Sequence, residues 1–310
     1  MGMMGSGGTE GGRGEGVATT TSPGPSAEER WTSSGFTAAP HQIAGHLFEY
    51  GKVGSLVCEE GYFYKPLQVG SRGVRERAFY ERLKDCEESC EESCEESCED
   101  TALLLQDLSG FVPTFFGVLE MGGLTYMKME DVTKGYERPC IIDIKIGYQT
   151  WAPSETESHI AKCQRKDKAT TTSKLGFKIC GMQVFSNESD AYWRATKEWC
   201  KTLDVASVKE SLAQFFGHPS GSLTAENVCL GPSGIVPKIE RLARWCEKQR
   251  LYQFYSASLL ILYEGNAKTV GDLRIDLKLI DFAHAHKARA RDDNFISGLV
   301  SLKKTITQIV

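Results

Sequence analysis

Residues Arg138 to Gly147 read Arg-Pro-Cys-Ile-Ile-Asp-Ile-Lys-Ile-Gly, an alternation that specifies a β-strand with chemistry on one face. Ile142, Ile144 and Ile146 recur at the period of two that lines one side of a strand, and Asp143 and Lys145 share the other side. Pro139 has no N–H to give a ladder and can only start the strand; Gly147 ends it. An acid and a base at the end of an apolar strand cost free energy unless they are paired or used. A carboxylate that orients a hydroxyl, beside an ammonium that holds a phosphate, suits phosphoryl transfer. An ordinary ion pair on a solvated strand face would show the same spacing.

Around this strand, the totals bound the molecule. A length of 310 residues with 41% hydrophobic content fits a soluble globular chain of one large domain or two lobes. The longest apolar run, Leu259–Tyr263, falls far short of the ~18 residues of a membrane span. Glycines occupy the N-terminus where an export signal would put its apolar core. The 11 cysteines are therefore expected as free thiols in a reducing compartment, and the Asn187-Glu-Ser189 glycosylation pattern as unused. Eight acids and no base lie between Cys86 and Asp100, more than the whole net charge of −5, so the rest of the chain is net basic. Six bases against one acid, Asp167, lie between Lys162 and Lys178. Such an excess attracts a small polyanion or simply solvates a surface.

Residues 1–40 hold ten of the 31 glycines and are expected to be a disordered tail. Its first six residues fit a myristoylation pattern at Gly2, without the polybasic partner that stable anchoring needs. Residues 57–65 predict a hairpin around Gly61, and residues 73–85 a helix with Val74, Ala78, Phe79 and Leu83 near helical spacing. Cys-Glu-Glu-Ser then repeats from Cys86 to Cys98. Four thiols strung over three helical turns cannot converge on one zinc, and glutamates four apart repel, so a solvated low-complexity insertion at the helix exit is expected. Two strands follow, at 111–119 and 124–129. Ser154 is expected to cap a helix running through Lys166, on which Lys162 and Lys166 share a face. Helices are expected at 190–203, at 207–216 and from Pro237 at its favoured first position. Buried strands are expected at 256–263 and 275–282, with Asp281 emerging at the end of the second, where a carboxylate can hold magnesium. His218 reads as structural.

Pro139-x-x-x-Asp143-x-Lys145-x-Gly147 resembles the signature of the inositol polyphosphate kinase family, most like its plant multikinases. The resemblance runs from about His41 to the C-terminus. It includes Lys65-Pro-Leu-Gln68, Arg72-Gly-x-x-Glu76-x-x-Phe-Tyr80, Glu130-Asp-Val132, Asp281-Phe-Ala-His284 and the Asp292–Leu299 ending. It implies a two-lobed α+β fold, distantly like protein kinases, with ATP in the cleft between a 41–132 N-terminal lobe and a 133–310 C-terminal lobe. It implies Lys65 on the ATP phosphates, Glu76 orienting it, Glu130 and Val132 on the adenine through main chain, and Asp281 on Mg²⁺. Asp143 would orient the attacking hydroxyl or the ribose, and Lys145 would neutralise the transferring group. Gln68, Arg72, Lys162, Lys166 and His284 would reach the inositol phosphate, with Lys178 facing it too. The implied activity phosphorylates inositol 1,4,5-trisphosphate and a tetrakisphosphate toward the pentakisphosphate.

No P-loop, dinucleotide fingerprint, nucleophile elbow or Cys-x-x-Cys pair competes with that reading. Two rivals share the motif set: a degenerate kinase that senses inositol phosphates or scaffolds partners, and an enzyme of this fold that makes pyrophosphates. A degenerate kinase would be expected to have lost the lysine, the signature or the metal carboxylate, and all are present. The expected partners are inositol polyphosphates, with no nucleic acid and no membrane span. The chain is expected to be a monomer, in nucleus and cytoplasm by family resemblance.

Overall fold

A computed structural model describes residues 35–45, 54–88, 96–218 and 223–310. The tail up to residue 34, including Gly2, and the centre of the Cys-Glu-Glu-Ser repeat (89–95) lie outside the described residues. The first part of the chain builds an antiparallel sheet from β1 (Phe36–Ala38), β2 (Leu56–Cys58) and β3 (Tyr62–Pro66). After helices α1 (Ser71–Glu88) and α2 (Glu96–Ser109), β4 (Phe115–Met121) and β5 (Leu124–Glu130) complete it. The order across this sheet is β1-β2-β3-β5-β4. Gly61 makes the expected hairpin turn at φ +89°, a left-handed value that glycine adopts at little cost.

The second sheet is built on β6 (Pro139–Ile146), the strand read from the sequence. After α3 (Glu157–Lys168) and the single turn α4 (Thr172–Leu175) come β7 (Phe177–Ser186) and β8 (Ala191–Arg194). Helices α5 (Lys197–Thr202), α6 (Val205–Phe216), α7 (Ala225–Cys229) and α8 (Ile235–Lys248) follow. Then come β9 (Tyr252–Phe254), β10 (Ser258–Glu264), β11 (Asp276–Ile280), β12 (Ala285–Lys287) and the closing helix α9 (Asp293–Ile309). The sheet order is β11-β10-β6-β7-β8, so β6 is central, and β12 pairs separately with β9. Residues directly opposite in an antiparallel ladder share a face. Lys145 stands opposite Ser258 on one side and Lys178 on the other, which sets both lysines on one surface. Ile142, Ile144 and Ile146 face the other way, into a core shared with Val208, Leu212 and Phe215 of α6 and with Phe295 and Leu299 of α9.

The two sheets are tied by aromatic packing. Phe79 of α1 stacks on Phe282, just beyond β11, with centroids 3.8 Å apart, and Tyr80 meets the same ring edge-on at 5.3 Å. This fixes α1, an element of the first part of the chain, against the end of β11.

Several expectations are corrected. Helix α1 runs from Ser71 to Glu88, and its inward stripe is Glu76, Phe79, Tyr80 and Leu83; Val74 and Ala78 are exposed. That stripe keeps the helical i, i+3, i+4, i+7 spacing, but one member is an acid. Helix α2 begins within the acidic insertion and was not anticipated; it buries Leu105 and Leu108, and the Trp245 indole N–H donates to the Leu104 carbonyl (2.7 Å). Thr156, not Ser154, caps α3, accepting from the His159 N–H. The helix expected over 190–203 is instead strand β8 and the short α5, because Tyr192 and Trp193 pair into the sheet edge opposite Phe185 and Val184. Pro237 is the third residue of α8, where a missing N–H is still harmless because first-turn donors have no intrahelical partner.

Candidate active site

Three charged side chains from distant parts of the sequence meet where the sheets join. Lys65 on β3 places its Nζ 2.7 Å from Glu76 Oε1 on α1 and 2.7 Å from Asp281 Oδ1 just past β11. Glu76 is fully buried, and its Oε1 also accepts from the Phe282 N–H at 3.3 Å. A buried acid needs such partners, which is why an acid stands in the apolar stripe of α1. Burial works against the Lys65 charge, but Asp281 and Glu76 outweigh it and hold the ammonium well above the usual lysine range. Asp281 sits at φ +69°, a strained value for a non-glycine residue. Strain of this kind costs about 1–3 kcal/mol and persists where surrounding contacts hold it, here the Lys65 ion pair.

Asp143 lies on β6 between Leu260 and Gly181, 5% exposed. Its Oδ1 is buried with no hydrogen-bond partner. Burial, and then the neighbouring Asp281 carboxylate, push its pKa from an ordinary 3.8 up to about 6. Lys145, one pleat on, donates to the Ser256 carbonyl, and the Ser256 hydroxyl donates to the Thr150 carbonyl (3.0 Å).

Asp143 and Asp281 stand at the junction of two cavities. The first, about 240 Å³, is mostly apolar, walled by Val57, Phe63, Met129, Ile141, Leu260 and Ile280. Lys65, Gln68, Glu130 and Val132 also line it. The second, about 900 Å³, is basic, with Lys145, Lys178, Arg194, Lys197 and Lys201 on its wall. Segment 42–45 borders both. It is strapped to the second sheet by contacts beside it: Gln183 Nε2 lies 3.0 Å from His41 Nδ1, and Arg194 donates to the Pro40 carbonyl at 3.1 Å.

The expected site residues therefore divide. Lys65, Gln68, Glu130, Val132 and Asp281 gather at the apolar cavity, with Glu76 behind Lys65. Asp143 touches both cavities; Lys145 and Lys178 line the basic one. Arg72, Lys162, Lys166 and His284 line neither, and the first three are exposed. His284 and Arg72 are neighbours all the same: burial first, then the Arg72 and Arg75 charges, lower the His284 pKa to about 4. Sequence reasoning missed Arg194, Lys197 and Lys201, because 190–203 read as a scaffold helix. The available signal was the i, i+4 spacing of Lys197 and Lys201.

A lysine paired with a buried glutamate, a strand-end aspartate beside it and a second aspartate between an apolar and a basic cavity define a kinase of the two-lobed, P-loop-free class. The family model for inositol polyphosphate kinase matches residues 126–307. An inositol polyphosphate multikinase of Oryza sativa subsp. indica is 35% identical over 290 residues, covering 87% of this chain and 93% of its own. A solved structure described as "Structural Studies and Protein Engineering of Inositol Phosphate Multikinase" is 29% identical with a TM-score of 0.58, covering 74% of this chain and 99% of that one. A crystal structure of inositol phosphate multikinase from S. cerevisiae, in complex with ADP and Mn²⁺, shares the fold at 21% identity and a TM-score of 0.62. It covers 80% of this chain and 98% of its own. The chain belongs to the inositol polyphosphate kinase family, as its motifs led one to expect.

Proposed function

We propose that this chain transfers the γ-phosphoryl group of ATP to hydroxyls of inositol 1,4,5-trisphosphate and an inositol tetrakisphosphate, building toward the pentakisphosphate. The observation that carries this reading is the position of Asp143, at the point where an apolar cavity suited to adenine meets a basic cavity suited to a polyphosphate. The lobes divide after β5. The Glu130 N–H already donates to the Thr114 carbonyl at 2.8 Å, so its carbonyl, with the Val132 N–H, is the main-chain group offered to the base.

Lys65, charged and held by two carboxylates, neutralises the nucleotide's phosphates, and buried Glu76 fixes its direction. Asp143, with its pKa near 6, is largely ionised at neutral pH and can accept a hydrogen bond from the attacking hydroxyl. Lys145 and Lys178, side by side on the sheet, hold substrate phosphates and offset charge on the transferring group. His284, neutral at pH 7, contributes from the turn before β12, Arg72 from the start of α1, and Lys162 and Lys166 from α3. A divalent ion fits the residues present: Asp281 offers carboxylate oxygens, and the orphaned Oδ1 of Asp143 beside it is an acceptor that a hard cation satisfies. Mg²⁺ held by Asp281 would supply charge neutralisation on the nucleotide's phosphates.

The test is to incubate the purified chain with ATP, Mg²⁺ and inositol 1,4,5-trisphosphate and resolve the products by ion-exchange chromatography. Stepwise tetrakis- and pentakisphosphate is expected. Tight inositol phosphate binding without turnover would refute the catalytic reading.

A further inference from the structure

Outside the two cavities, a second group of ligating side chains converges on the start of α3. Glu155 lies just before that helix, and His284, in the turn before β12, and His286, on β12, flank the buried Ala285. One ligand atom from each of the three lies within 4.8 Å of the other two. His284 Nδ1 is 3.7 Å from Glu155 Oε1, and this Nδ1 is buried with no hydrogen-bond partner. Arg75 reaches into the group, with Nη1 3.0 Å from His286 Nε2 and Nη2 3.6 Å from Glu155 Oε1. A guanidinium can only donate, so His286 Nε2 must present its lone pair to it, as Glu155 presents a carboxylate oxygen. His286 Nε2 and Glu155 Oε1 are thus acceptors facing an organic cation, and beside them the His284 Nδ1 is buried without a hydrogen bond.

We propose that Glu155, His284 and His286 form a binding site for a divalent transition metal of the zinc type, which displaces Arg75. Two imidazoles and one carboxylate are a common three-ligand set for Zn²⁺, with water in the fourth position. Bonds of about 2.0–2.1 Å put tetrahedral ligand atoms roughly 3.4 Å apart, so modest side-chain shifts close the set. The neighbouring charges oppose a cation: Arg72 and Arg75 both act on His284, and Glu155 is the acid that faces them. Arg75 is therefore the competitor whose removal strengthens binding.

The experiment titrates the reduced full-length chain with Co²⁺ and then Zn²⁺, with neither nucleotide nor inositol phosphate present, so its result is independent of the kinase reading. Expected is one equivalent of cobalt showing a visible ligand-field band without a thiolate-to-cobalt charge-transfer band, displaced by zinc. Loss of even an outer-sphere partner commonly costs a metal site about 10–100-fold in affinity, so Glu155→Gln and His286→Ala should each weaken binding at least tenfold. Arg75→Ala should tighten it. Glu155→Gln is nearly isosteric, and circular dichroism establishes that each variant is folded. Binding unchanged in both ligand variants, weaker binding in Arg75→Ala, or cobalt bound through thiolates alone would overturn the proposal.

Discussion

Asp143→Asn should abolish turnover and make the protein more stable. The Asp143 carboxyl is 5% exposed and titrates near 6 rather than the ordinary 3.8, because burial and then Asp281 disfavour its charge. A folded-state pKa above the unfolded one means the native state binds the proton more tightly. Ionisation therefore weakens the fold, and stability falls as pH rises through the window from 3.8 to about 6. At about 1.4 kcal/mol for each tenfold change in proton affinity, the charge costs roughly 3 kcal/mol above that window. Asparagine keeps the shape and removes the charge, so at pH 7.5 the variant should gain on the order of 3 kcal/mol, or about 5 °C in Tm for a chain of this size. Calorimetry in chelator, where no cation screens the acids, measures it. The gap between variant and wild type should shrink through that window, to about 1 kcal/mol at pH 4.5, and close below 3.8, where the carboxyl is protonated in both states. A variant no more stable than wild type at pH 7.5, or a gap that does not depend on pH, would refute the reasoning.

The same ionisation should make the catalytic rate fall below about pH 6, as the Asp143 carboxylate is protonated; a pH–rate profile whose acid limb lies well below that value would contradict the role given to it. Lys65→Met leaves buried Glu76 without its ammonium partner and should cost about 3–5 kcal/mol, read by denaturant unfolding, together with loss of ATP-dependent turnover. Lys178→Ala combined with Lys197→Ala should raise KM for the inositol phosphate at least tenfold, since charged hydrogen bonds are worth about 1.5–3 kcal/mol each, while KM for ATP stays near wild type.

Strand β6, the hairpin at Gly61, the strand ends at Glu130 and Asp281 and the apolar stripes of α6 and α8 were legible because each follows from local periodicity. Less legible were 190–203, where aromatic residues pair into a sheet edge, and α2, whose start lies within a low-complexity run. A like-charged repeat disfavours a helix locally, but Leu105 and Leu108 can be buried only if the chain is helical there, and packing decides. The motifs pointed to Lys65, Gln68, Glu130, Val132, Asp143, Lys145, Lys178 and Asp281 at the two cavities but not to Arg194, Lys197 or Lys201, while Lys162 and Lys166 stand exposed on α3, outside both.

By itself the sequence determined that Asp143 on β6 and Asp281 past β11 bring charge to apolar strands, because the pleat is set by neighbouring residues and a misplaced charge is visible in one dimension. That Glu76 belongs to the inward stripe of α1 was decided by the fold. Only the tertiary structure decided that Glu76 and Asp281 take the same lysine, that Asp143 keeps an unsatisfied oxygen, and that Lys197 and Lys201 join Lys145 and Lys178 around one cavity. Those contacts join segments up to 216 residues apart, and they exist because the Phe79–Phe282 stack and the ladder around β6 bring the segments together.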